Sequence, residues 1–154
     1  MADAKVTLGD LLNQDTVKIV TQSLDFHDAI VSSLNILLDR DQIESRYIDS
    51  VFENFEKLGP YFYLGNGIAM PHSRPEEGAK ALGLSLLVLK KPTIISQSDP
   101  RPVEIVLGFA ATDPNQHVEA MAELAGILGD EAQLNALKSS NSVEEVLNIM
   151  KNLG

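Results

Sequence analysis

The chain has 154 residues, 44% of them apolar and 22% charged, with no cysteine and a net charge of −10. That length suits a single domain spanning residues 1–154, which would bury roughly 70% of its unfolded surface. The lack of cysteine excludes disulfides, thiolate metal sites and iron–sulfur clusters, and the acidity opposes binding to nucleic-acid backbones.

Residues 6–12 read as a short helical entry, and residues 16–21 (Thr-Val-Lys-Ile-Val-Thr) as a β-branched strand. Asp25 then caps a helix with Ala29, Ile30, Leu34, Leu37 and Leu38 on one face. A second helix starts near Ser45, carries Tyr47, Ile48, Val51, Phe52 and Phe55 inward, and stops at Gly59-Pro60. Residues 61–64 form an aromatic strand, followed by a loop opening at Gly65-Asn66-Gly67. Residues 82–89 and 103–111 are nearly continuous apolar runs, as in strands covered on both faces, with Lys90-Lys91-Pro92 ending the first.

Asp113, Pro114 and Gln116 occupy the N-cap, N1 and N3 positions of a further helix. That helix would bury Val118, Met121, Leu124, Ala125 and Leu128 before Gly129 ends it. Helices over residues 131–138 and 142–151 complete the chain. Strands interleaved with amphipathic helices indicate an α/β layered sandwich, with a mixed parallel and antiparallel sheet between helical layers. No apolar run reaches the roughly 18 residues of a membrane span, and the N-terminus lacks signal-peptide character. A cytoplasmic protein without direct membrane insertion is expected.

Three histidines are candidates for chemistry. His27 lies in a first helical turn and reads as a solvated helix residue. His72 follows Pro71 in the Gly-rich loop, with Arg74 two residues on. A neutral imidazole can attack phosphorus without prior deprotonation, and a guanidinium can balance phosphoryl charge. The competing reading is a structural histidine in a tight turn. His117 occupies the first turn of the Asp113-capped helix, where free N–H groups and the helix dipole favour anions; a plain surface histidine is the alternative there.

Two histidines make only half of a tetrahedral metal shell, so no metal is expected. Neither a Gly-x-Ser-x-Gly elbow nor an ATP-binding phosphate loop occurs, and no cofactor is expected.

The run Leu64-Gly65-Asn66-Gly67-Ile68-Ala69-Met70-Pro71-His72 resembles the phosphorylation motif of the mannitol–fructose class of enzyme IIA domains (EIIA type 2). These domains belong to the bacterial phosphoenolpyruvate-dependent sugar phosphotransferase system. Gly59-Pro60-Tyr61-Phe62 and Pro71-His72-Ser73-Arg74-Pro75-Glu76-Glu77-Gly78 are similar to segments of the ascorbate-specific IIA proteins. The resemblance implies that His72 accepts a phosphoryl group from HPr and passes it to a IIB component, with His117 as the second histidine of the site. It departs from the mannitol pattern at Glu53-Asn54-Phe55-Glu56, which lacks that class's arginine. Arg74 is then the candidate phosphoryl-stabilising cation. A regulatory module of the same fold, signalling its phosphorylation state to a transcription factor or transporter, is the alternative function. The sugar and the oligomeric state are not specified by these motifs.

Overall fold

Leu86, Leu87, Val88 and Leu89 are all buried, so their strand needs apolar cover on both faces. In the computed structural model, which describes residues 8–151, helices provide it on each side. The strands are β1 (Val17–Val20), β2 (Tyr63–Gly65), β3 (Ile68–Ala69), β4 (Gly83–Leu84), β5 (Leu86–Ile94), β6 (Pro102–Val106) and β7 (Phe109–Ala110). The helices are α1 (Phe26–Asp39), α2 (Ser45–Leu58), α3 (Pro114–Leu128), α4 (Glu131–Lys138) and α5 (Val143–Lys151).

Five strands form one sheet in the order β1-β5-β6-β3-β2, while β4 and β7 pair as a separate ribbon. β1 runs parallel to β5, and β3 to β6; the β5–β6 and β2–β3 pairs are antiparallel. The mixed sheet between helical layers is thus present. Alternation along β5 divides the core. Leu86 and Val88 pack with Leu124, Leu134, Leu137 and Val146 of α3 to α5. Leu87 and Leu89 pack with Ile30, Leu34, Tyr47 and Val51 of α1 and α2.

Local chemistry sets most boundaries. The Asp25 carboxylate accepts from the Asp28 amide at 2.7 Å and starts α1. Gly59, at φ 75°, ends α2. Asn66 and Gly67 both have positive φ, 53° and 83°, and turn the chain from β2 into β3.

Several elements differ from the sequence expectation. The aromatic strand begins only at Tyr63, and Ile68–Ala69, read as loop, is a strand paired with β6. β5 runs through Lys90-Lys91-Pro92 to Ile94, because pairing resumes at Thr93↔Val103 after a register shift. The run at 103–111 breaks at Leu107-Gly108, passing from the main sheet to the ribbon. Val118 and Ala125 face outward, whereas Ala120 and Leu124 of the same helix are buried. The helical entry is a 3-10 turn at Leu8–Leu11; Val6, and the side chain of Leu128, lie outside the described residues.

Gly108 makes the break possible. A Cβ there would lie 2.6 Å from Ser85 Oγ and 2.8 Å from the Ser33 carbonyl oxygen. Both serines are buried, so neither can move aside freely. Gly108→Ala is expected to cost roughly 1–3 kcal/mol of stability, read as a lower urea midpoint with an unchanged slope.

Candidate functional site

The turn at Asn66-Gly67 sends the chain into the sheet, and the next residues are anchored one after another. The Met70 amide donates to the Phe62 carbonyl at 2.9 Å, and the Phe109 amide donates to the Pro71 carbonyl at 3.1 Å. Met70 and Pro71 are buried, while His72 is half-buried where the chain emerges beside α3.

His72 Nδ1 lies 2.7 Å from the Met70 carbonyl oxygen. A carbonyl can only accept, so Nδ1 carries the hydrogen and Nε2 keeps its lone pair. The Tyr61 hydroxyl donates to the His72 carbonyl, and its ring meets the imidazole edge-on at 5.5 Å between centroids. Burial pulls the His72 pKa below its ordinary 6.5; the Met70 bond opposes that shift and nearby His117 adds to it. The imidazole is therefore neutral at pH 7.

His117 arrives from the other direction. Asp113 accepts the Gln116 amide at 3.0 Å, and the Gln116 side-chain oxygen accepts the Thr112 amide at 2.9 Å. These two bonds fix the first turn of α3, and the His117 ring lies 5.0 Å from that of His72, centroid to centroid. Phe109 borders His117 at 5.7 Å.

The two imidazoles share a cleft of about 390 Å³ with Arg74, Asn54, Tyr61 and Pro114, edged by Leu58 and Val118. Arg74 is exposed and, among the described residues, its guanidinium makes no ion pair. All three sequence-selected residues, His72, His117 and Arg74, thus line one cleft. His27 is elsewhere: exposed, it stacks on Phe52 at 4.5 Å and lies 3.5 Å from the Asp28 carboxylate. It is one of three neighbouring side chains, with Asp25 and Asp28, whose ligand atoms lie within 4.8 Å, but Asp25 is already engaged as a helix cap.

Three residues of the site escaped the sequence reading. Tyr47, expected only in the core, is indeed buried, but its hydroxyl accepts from the Ser73 amide at 2.8 Å and donates to the Phe109 carbonyl at 2.9 Å. A buried tyrosine hydroxyl needs partners, and that requirement was the available signal. Asn54 donates to Ser73 Oγ at 3.1 Å and occupies the cleft side of α2 where no arginine is present. Tyr61 stood out only through its neighbourhood in the motif.

The chain matches the model of the "Phosphoenolpyruvate-dependent sugar phosphotransferase system, EIIA 2" family over residues 10–153. It belongs to that family. The ascorbate-specific PTS system EIIA component of Escherichia coli (strain K12) is 33% identical over 141 residues, covering 91% of this chain and 92% of that one. The solution structure of the mannitol-specific cryptic enzyme IIA CmtB from Escherichia coli superposes with a TM-score of 0.84 at 30% identity, covering 94% and 98%. The mannitol IIA of Escherichia coli, solved in complex with phosphorylated IIB, shares the fold at a TM-score of 0.79 and 24% identity, covering 92% and 97%. Among the described residues of this EIIA, no helix is long and apolar enough to cross a membrane.

The lowered pKa of His72 has a testable sign. The unfolded chain takes up a proton near pH 6.5, while folded His72 resists it until lower pH. Stability contributed by keeping His72 neutral is therefore complete above about pH 6.5 and declines as pH falls below that value. An NMR titration of the His72 ring should show a midpoint below 6.5; a midpoint at or above it would contradict the buried, neutral imidazole.

Proposed function

We propose that this EIIA accepts a phosphoryl group from HPr on His72 Nε2 and passes it to a IIB component, acting as a phosphotransferase in the cytoplasm. The observation that carries this reading is the 2.7 Å bond from His72 Nδ1 to the Met70 carbonyl. It fixes the tautomer and leaves a lone pair on Nε2. Attack forms a phosphorus–nitrogen bond as the bond to the donor breaks; the hydrogen stays on Nδ1, donated to the Met70 carbonyl, so no general base is required. Transfer to IIB reverses the same step on a new acceptor.

His117 supports this chemistry as a hydrogen-bonding partner for the phosphoryl oxygens, at the end of α3 where the dipole favours anions. Arg74 supplies charge compensation in the same cleft. The rim is suited to transient docking. Leu58 and Val118 are 69% and 64% exposed and flank the opening, so an incoming carrier can cover apolar surface around the reacting atoms. Ascorbate uptake is the transport role favoured by the 33%-identical relatives.

Incubation with enzyme I, HPr and labelled phosphoenolpyruvate tests the assignment. His72→Gln should abolish labelling while retaining the fold; full labelling of that variant would overturn it. His117→Ala should accept label yet pass it to IIB more slowly, and wild-type rates in both steps would return His117 to the surface.

Arg74 is tested by an equilibrium instead. Arg74→Gln should shift phosphoryl exchange toward phospho-HPr by roughly 1–2 kcal/mol, the scale of a hydrogen bond to a charged group. An unmoved equilibrium would assign charge compensation to the α3 N-terminus.

A further inference from the structure

Behind His72 lies a connected set of polar groups that the transfer step itself does not consume. The Asn54 amide donates to Ser73 Oγ at 3.1 Å, on the residue that follows His72. Tyr61 directs its hydrogen to the His72 carbonyl, and the edge of its ring closes one side of the imidazole at an interplanar angle of 72°. Burial pushes the Tyr61 pKa up to about 12, so this donor keeps its hydrogen at neutral pH. Ser73, held by Asn54, donates onward to Glu77 at 2.7 Å.

An imidazole on a loop has two free side-chain torsions and two neutral tautomers. Only one combination puts the Nε2 lone pair in the cleft beside His117. The Met70 carbonyl selects the tautomer, but that bond survives only while the backbone carrying His72 stays still. Tyr61 grips this backbone at the carbonyl and the ring at its edge, and Asn54 holds Ser73, the next residue along. Asn54 and Tyr61 also line the open cleft and are half-buried, not sealed in the core.

We propose that Asn54 and Tyr61 are positioning residues for phosphoryl transfer, holding the His72 imidazole in the one orientation that presents Nε2 to the incoming phosphorus. The proposal rests on His72 being the acceptor. In it, the α2 segment that lacks an arginine contributes to the site through geometry instead of charge.

The test uses the full chain with three variants. Tyr61→Phe keeps the ring and removes only the hydroxyl; Asn54→Leu keeps the side-chain bulk and removes both donors. Tyr63→Phe is the control, because its hydroxyl bonds Pro102 and Gly67 and does not touch His72. Nitrogen-15 spectra of the His72 ring report its tautomer, and transfer from phospho-HPr at varied HPr concentration separates kcat from KM.

The expected result for Tyr61→Phe and Asn54→Leu is a native amide spectrum, an unchanged KM for HPr and a kcat lowered roughly tenfold, as for a small misplacement of a reacting group. The His72 ring should show a mixture of tautomers in both, and the double variant should be little worse than either single one. Tyr63→Phe should match wild type. A single tautomer with wild-type kcat in both site variants would overturn the proposal, as would a loss of thermal stability with neither reading changed. If wild type took no label on His72, the acceptor assignment would fail instead, and the ring spectra would still report whether the pair orders the imidazole.

Discussion

The hydrogen bond between His72 Nδ1 and the Met70 carbonyl is the constraint on which the site depends. It turns an ambidentate ring into a group with one defined nucleophilic nitrogen, and it does so with backbone, which cannot rotate away. The rest of the arrangement follows from keeping that carbonyl in place. Met70 is buried and bonded to Phe62, and Pro71 accepts from Phe109, so the residues before His72 belong to the folded interior. Burial has a second effect, since it lowers the pKa of the same ring and keeps the lone pair available at neutral pH.

Charge is handled differently in the two halves of the cleft. On the α3 side, a capped helix terminus brings His117 together with backbone N–H groups. On the α2 side, the side chains are neutral and hydrogen-bonded, and Arg74 is the cation between them. A chain of net charge −10 therefore concentrates its anion-compatible features at one opening. The opening is edged by apolar side chains, which suits brief contact with a carrier.

Much of this was legible in the sequence because it is local. Asp25 and Asp113 as caps, Gly59 as a stop and the Asn66-Gly67 reversal each express the chemistry of one or two residues. His72, His117 and Arg74 were legible from motif and position. Elements that depend on distant partners were not. β3 is two residues long, and it joins the sheet through β6, whose residues lie far along the chain. β5 continues past a proline because β6 resumes pairing beyond the register shift. Val118 fits the helical spacing of a core residue, yet its side of α3 borders the cleft, where no layer covers it. The roles of Tyr47 and Asn54 escaped for a related reason: a side-chain polar atom shows its purpose only when its partner, 19 to 62 residues away, is known.

The Tyr47 hydroxyl joins two segments that carry the two histidines. It bonds the Ser73 amide, next to His72, and the Phe109 carbonyl, on the strand leading to His117. Its ring is sunk in the α1–α2 core. The spacing between the imidazoles is thereby tied to the integrity of that core. Heat inactivation should consequently be all-or-none: activity and tertiary structure disappear together, without an intermediate temperature range in which a folded protein has a slack, inactive site.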